Sequence, residues 1–259
     1  MHVQGSQDTT GVVELDRMVV TASRAPTLAR NSSQSVTVIT EADIMASPYD
    51  NVEDIVRTTP GLYNFRHANL HTNGIVSPLD MRGAGKNRVL FLVDGVPQND
   101  NFNNAIAWVG WGHIPKSAIE RIEIVRGPAS ALYGSEGLGG VINIITRRPD
   151  EGRTTVIKVK GGNAATLSAG ARHSQRIENF AIMAAGGYEQ SDGFYMVEDI
   201  EDYVIERYRK KGQLFGTMLY DFSPRSRLEF SALYFTQDAG QGREHFHNDL
   251  QLDQYALNY

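Results

Sequence analysis

The sequence predicts two structural units in one chain: an α+β domain over residues 35–150, then antiparallel transmembrane β-barrel strands over residues 151–259. Two observations carry this reading. The hydrophobic pattern settles into a period of two shortly after residue 150. The connections between the later strands alternate between short and long. No stretch approaches the ~20 apolar residues of a membrane helix, which leaves a strand barrel open, since its signal is alternation rather than a long apolar run.

The strands justify the second unit. Ile157 and Val159 oppose Lys158 and Lys160. Ala165, Leu167, Ala169 and Ala171 oppose Thr166, Ser168, Gly170 and Arg172. Phe180, Ile182, Ala184 and Tyr188 share a third face, although Met183 and Ala185 blur its reverse. Residues 212–222 form a fourth strand with weaker alternation. In a fifth, Leu228, Phe230, Ala232 and Tyr234 oppose Arg227, Glu229 and Ser231, and a sixth begins near Gln254. Residues 174–179 and 223–226 read as short turns; 191–211 and 237–253 read as long polar connections. Phe180, Tyr188, Tyr220, Phe222 and Tyr234 lie near segment ends, as an interfacial aromatic girdle requires. A soluble antiparallel sheet with one wet face gives the same alternation. The asymmetry of the connections favours the membrane.

The first unit mixes periods. Val36–Ile39 alternates as a strand, and Thr40-Glu-Ala-Asp43 resembles a capping box that opens a short helix ended by Pro48. Asn51–Thr58 reads as a second helix, stopped by Pro60-Gly61. Arg88–Val93, Arg121–Val125 and Gly140–Ile145 read as strands. Glycine-rich stretches at 83–85, 127 and 134–140 separate them. The expected unit is a small sheet with short helices beside it.

Composition excludes several functions. The net charge of −5 comes without a clustered Lys/Arg footprint, which argues against nucleic acid. The absence of cysteine removes disulfide scaffolds, thiolate metal sites and cysteine nucleophiles. Met1–Asp8 has no cationic segment leading into an apolar one, so no signal peptide is visible. Gly83-Ala-Gly85 meets Arg88, and Gly137-Leu-Gly139 meets Ile142, where a dinucleotide fingerprint needs glycine. No phosphate loop and no G-x-S-x-G elbow occurs. His245 and His247 read as a polar loop rather than a metal pair. No catalytic, metal or cofactor set emerges, and the chain is not expected to be an enzyme.

Residues 1–34 are polar apart from Asp16-Arg-Met-Val-Val-Thr-Ala22. That patch is either a stray β-prone piece of tail or an extended peptide able to add a strand to a partner's sheet.

Three stretches resemble the signatures of TonB-dependent outer-membrane receptor plugs. The first is Thr59-Pro-Gly-Leu-Tyr-Asn-Phe-Arg66. The second is Met81-Arg-Gly-Ala-Gly-Lys-Asn-Arg-Val-Leu-Phe-Leu-Val-Asp-Gly-Val-Pro97. The third joins Ile114-Pro115, Ile119-Glu-Arg-Ile-Glu-Ile-Val-Arg-Gly-Pro-Ala-Ser-Ala-Leu-Tyr-Gly134 and Gly139-Gly-Val-Ile-Asn-Ile-Ile-Thr146. Their order and spacing agree with the family throughout.

The resemblance implies an α+β plug domain at 35–150, the opening strands of a transmembrane barrel at 151–259, and a TonB box within the 1–34 extension. The box would be Asp16, Arg17, Met18, Val19, Val20, Thr21 and Ala22, and TonB with its ExbB/ExbD motor would be the partner. Arg82, Arg121, Glu123 and Arg126 would hold the plug in the barrel. In the family, plug arginines pair with acidic residues of the inner wall. Loops 64–78 and 98–112 offer Arg66, His67, His71, Gln98, Asn99, Asn101, Asn103, Trp108 and Trp111 to a bulky ligand. The implied ligand is a metal chelate, foremost a ferric siderophore, with a corrinoid (cobalamin) or haem as alternatives. The implied location is the outer membrane of a Gram-negative bacterium, in contact with its lipid, with plug and box facing the periplasm. Family barrels have about 22 strands, so about five strands imply an incomplete barrel and a fragment. A non-transporting, plug-like binding module is the alternative reading.

Overall fold

The computed structural model describes residues 18–19, 21, 27–28, 32, 34–64, 79–85, 87–100, 104, 106, 112–149, 151–195, 197–198 and 200–259. A small antiparallel pair comes first, β1 (Met18–Val19) with β2 (Thr27–Leu28). The α+β domain follows. It runs through β3 (Ser35–Thr40), α1 (Glu41–Ala46), α2 (Val52–Arg57), β4 (Leu62–Asn64), β5 (Leu79–Met81), β6 (Val89–Val93), β7 (Val96–Pro97), β8 (Ile119–Arg126) and β9 (Gly140–Thr146). Five strands form one mixed sheet in the order β3-β8-β9-β6-β7, with β6 and β9 parallel. β4 and β5 pair separately.

Local sequence explains these elements. The expected capping box is present: the Thr40 hydroxyl accepts from the Asp43 N–H at 3.3 Å, and Asp43 accepts from the Thr40 N–H at 2.9 Å. The unbroken Val-Leu-Phe-Leu-Val run of β6 is buried at every position, because the sheet is covered on both faces. Phe91 packs with Ile44, Ile55, Ile122, Ile142 and other core side chains on one face. Leu90 and Leu92 pack with Val125, Ala129 and Val141 on the other. The sequence reading overlooks β4, β5, β7, the 3-10 turn Lys116–Ala118 and the helical turn Ser130–Tyr133. Each is too short to show a period.

The second unit is a six-stranded antiparallel meander. Its strands are β10 (Arg153–Gly161), β11 (Leu167–Ile177), β12 (Phe180–Ser191), β13 (Arg209–Ser223), β14 (Ser226–Arg243) and β15 (Phe246–Asn258). Residues 178–179 and 224–225 are two-residue turns, and 192–208 is the long connection at the opposite end. One expectation is corrected: 237–253 is not a loop. β14 and β15 continue through it, with a register shift between Gly240 and Arg243. Most of 174–179 likewise belongs to β11.

The two faces of this meander are inverted relative to a soluble sheet. The exposed face carries Ile157, Val159, Phe180, Ile182, Tyr188, Leu214, Met218, Tyr220, Phe222, Tyr234, Tyr255 and Leu257. Tyr220 and Phe222 meet edge-on with ring centroids 4.8 Å apart. The other face is buried and partly polar, with Arg172, Ser174, Glu189, Lys211, Thr217 and Gln237 among Met183, Ala185, Phe215, Leu233 and Phe235. Met183, Ala185, Phe215 and Leu233 join the core cluster of the α+β domain. The sheet therefore lays its mixed face on that domain and its apolar face outward. Among the described residues, no helix is long and apolar enough to cross a membrane.

Candidate functional site

Thr21 sits in a polar slot cut into the apolar sheet. Its N–H donates to Glu123 Oε2 at 2.8 Å. Its carbonyl accepts from the Tyr133 hydroxyl at 3.1 Å, and its hydroxyl accepts from Asn143 Nδ2 at 3.0 Å. The β8–β9 register places Glu123 directly opposite Asn143, so the two strands present their polar residues to one segment. Glu123 is fully buried. Burying a carboxylate costs several kcal/mol unless it is paired and hydrogen-bonded. Here Arg121 Nε donates to its second oxygen at 2.8 Å, while Arg121 also pairs with Glu120. Asn143 Oδ1 in turn accepts from the Gly95 N–H at 3.2 Å. Of the expected box, Met18 and Val19 form β1 and Thr21 fills the slot; Asp16, Arg17, Val20 and Ala22 lie outside the described residues.

The four charged candidates separate into two pairs. Arg121 and Glu123 bond to each other and, through Glu123, hold Thr21. Arg126 donates to the Pro60 carbonyl at 3.1 Å and to Thr37 Oγ1 at 2.7 Å. Arg82 is exposed, at a left-handed φ of 55°, and its N–H donates to the Gly61 carbonyl. Partial burial, and then the charge of Arg82, lower the proton affinity of Arg126. The structure thus brings Arg82 and Arg126 together around Pro60-Gly61. Among the described residues, neither meets an acidic side chain of the meander.

The contacts that do tie the domain to the meander run with the opposite polarity, acid on the domain and base on the wall. Arg172 of β11 donates to Glu41 at 2.8 Å and to the Ser117 carbonyl at 3.1 Å. Glu41 also receives Arg147. Lys160 of β10 pairs with Asp50 at 2.7 Å. Gln213 of β13 donates to the carbonyls of Gly112 and Ile114. Only Arg148–Glu229, at 3.5 Å, follows the expected sense among the described ion pairs. The signal for these wall residues was present in the alternation: each stands opposite the apolar, outward side of its strand.

The ligand candidates fare unevenly. Asn99 accepts from the Phe91 N–H at 2.7 Å and donates to the Val89 and Asn104 carbonyls at 3.0 Å each. Both amide hydrogens and the oxygen are spent on backbone, so Asn99 shapes the base of its loop. Gln98 receives Gln254 of β15 at 3.4 Å. Arg66, His67, His71, Asn101, Asn103, Trp108 and Trp111 lie outside the described residues.

Comparison with known proteins agrees with this architecture. Residues 29–141 match the family model of the TonB-dependent receptor plug domain. The chain is 33% identical over 188 residues to the vitamin B12 transporter BtuB of Vibrio vulnificus, covering 72% of this chain and 29% of that protein. It shares its fold with the ferripyoverdine receptor of Pseudomonas aeruginosa at a TM-score of 0.70 and 22% identity, covering 93% of this chain and 33% of the receptor. The siderophore receptor PirA of Pseudomonas aeruginosa superposes at a TM-score of 0.61 with 30% identity, over 86% of this chain and 36% of that one. The chain spans about a third of the length of these relatives, which are a transporter and receptors rather than enzymes. Over residues 29–141 the chain thus resembles the plug domain of TonB-dependent receptors. The antiparallel strands that follow it resemble the start of that family's barrel.

Proposed function

We propose that this chain provides the plug and opening barrel strands of an outer-membrane receptor that imports a scarce, bulky ligand at the expense of energy delivered by TonB. The observation that carries the reading is the inverted meander: an apolar face turned outward and a mixed face packed on the plug. That arrangement suits strands with lipid outside and a plug inside, and suits water poorly. The outer membrane of a Gram-negative bacterium is the matching location, with the plug and the segment around Thr21 toward the periplasm.

The relatives support a reading of the ligand class. One is a vitamin B12 transporter and two are siderophore receptors. A ferric siderophore is the leading candidate, with a corrinoid second. Residues 16–22 would be the segment that TonB captures as an added strand. Seating Thr21 in the Glu123–Asn143–Tyr133 slot keeps that segment withdrawn until ligand binding releases it.

The test is deletion of residues 16–22 in the receptor produced from its own gene. Energised uptake of a ferric siderophore or cobalamin should be lost while surface binding persists. Uptake at the undiminished rate would overturn the proposal.

A further inference from the structure

A second polar site lies between plug and wall, away from the Thr21 slot. A cavity of about 80 Å³ separates the plug segment around Lys116 from β10–β13. That volume holds several waters, since one needs on the order of 10–15 Å³ by this measure. Its walls carry Lys116 of the plug, Lys158 and Lys160 of β10, and Lys211 of β13, against two carboxylates, Asp50 and Glu189. The cavity sits toward the end of the wall that carries the long 192–208 connection, since Glu189 and Lys211 flank it on β12 and β13.

The charges do not balance. Asp50 is taken by Lys160 at 2.7 Å. Glu189 is shared between Lys211, at 2.9 Å, and the buried Arg209. Lys116 and Lys158 bond to backbone carbonyls, those of Tyr49 at 2.5 Å and Met45 at 2.7 Å. A carbonyl takes a proton donor without cancelling a charge, and each ammonium has three donors. Burial first, and then the nearby charge of Lys158, bring the pKa of Lys116 down to about 8; Asp50 opposes the shift, and Lys160 and Lys211 add to it.

The geometry points to this cavity as a binding station for an oxyanion, a phosphate or carboxylate group held by Lys116 and Lys158 with Lys160 and Lys211 in support. Such a group offers several acceptor oxygens to donors that already converge, and charge-assisted bonds of this kind are the strong ones. It also supplies the negative charge that the lysines lack. The site requires only the plug-on-wall arrangement, so it stands or falls separately from transport. The oxyanion can be a free inorganic ion or a group carried on an organic molecule.

Titration calorimetry on the receptor produced from its own gene, in detergent, tests this, with inorganic phosphate and citrate as separate probes. Saturable binding of either is expected, weakened about tenfold, the equivalent of one charge-assisted bond at 1.4 kcal/mol, in Lys116→Gln and in Lys158→Gln. Lys210→Gln, on the outward side of β13, should leave it unchanged. Lys116→Arg keeps the charge and should retain binding, which separates loss of the site from loss of the fold. Binding of phosphate alone assigns the station to a free ion, and of citrate alone to an organic carboxylate. No saturable binding of either probe, or binding that both Gln variants leave intact, overturns the proposal.

Discussion

The N–H of Thr21 and the carboxylate of Glu123 meet at 2.8 Å across 102 residues of sequence, with both residues buried. This bond joins the N-terminal segment to the central sheet of the plug. It depends on Arg121, which holds the other carboxylate oxygen. Replacing Glu123 by Ala leaves the Arg121 charge and the Thr21 N–H without this partner. Loss of one partner of a buried pair costs roughly 3–5 kcal/mol. The expected outcome is fast hydrogen exchange at the Thr21 amide and lower plug stability. Glu123→Gln keeps an acceptor for Thr21 and should fall between. Wild-type protection at Thr21 in Glu123→Ala would show that the slot does not hold the segment.

Much of this arrangement is legible in the sequence, and the rest is hidden there for physical reasons. Apolar periodicity placed β3, β6, β8, β9 and most of the wall strands, because burial of one face dictates it. Thr40 and Asp43 announced α1, because a capping box is a local bond. The family resemblance marks Glu123, but as a grip on the barrel. Its partner Thr21 is 102 residues away, and nothing local names it. The outer arm of β14–β15 read as loop because its outward residues, Asp238, Asp249, Gln251 and Asp253, are polar, while Leu250 and Leu252 point inward. Alternation was present there, but with the sign of a strand in water.

Glu41 bridges two arginines, Arg147 of the plug and Arg172 of the wall. Removing the shared acid leaves two like charges facing each other, whereas removing Arg172 leaves Glu41 still paired. Glu41→Gln should therefore destabilise more than Arg172→Gln, with each in the range of about 1–3 kcal/mol for lost charged hydrogen bonds. Denaturant titration of the two variants and their double decides it. In the cycle, the two substitutions should be non-additive, as for residues in direct contact. Equal single costs that simply add would contradict the bridge.

The lowered pKa of Lys116, about 8, carries a pH dependence of stability whose sign is fixed. The unfolded lysine keeps its proton up to its ordinary value of 10.5, while the folded one has given it up. Between those values the unfolded chain binds more protons, so the contribution of Lys116 to stability rises with pH across that window and is lost as pH falls through about 8. Lys158→Gln removes one neighbouring ammonium and should move the Lys116 titration upward. Amine labelling followed by peptide mass analysis reads that midpoint directly. An unchanged midpoint in Lys158→Gln would place Lys158 outside the field of Lys116.

Ile182 faces outward from β12, paired with Met218 of β13, which is also exposed. If lipid covers this face, Ile182→Arg should weaken folding into bilayers, by less than the roughly 2–4 kcal/mol of a basic residue at the midplane because Ile182 lies only two residues from the end of β12 at Phe180. Ser231→Arg, on the inner side of β14, should cost less. Folding into lipid vesicles, followed by heat-modifiable gel mobility, compares the two. Equal tolerance at both positions would remove the support that the apolar face gives to a membrane location.

Gly140 opens β9 at a φ of 148°, where the strand passes between Met81 and β8. A Cβ there would lie 2.5 Å from the Val125 carbonyl oxygen and closer still to the Met81 sulfur. The thioether could move, but the carbonyl belongs to the sheet and cannot move without breaking the β8–β9 register that sets Glu123 opposite Asn143. Gly140→Ala should therefore cost at least the roughly 1–3 kcal/mol of an overpacked core. It should also loosen Thr21, although residue 140 does not touch it. Hydrogen exchange at the Thr21 amide in this variant separates the two effects. Lost stability with intact Thr21 protection would mean that the strain is absorbed at Met81. Loss of both would make the glycine a structural condition for the slot.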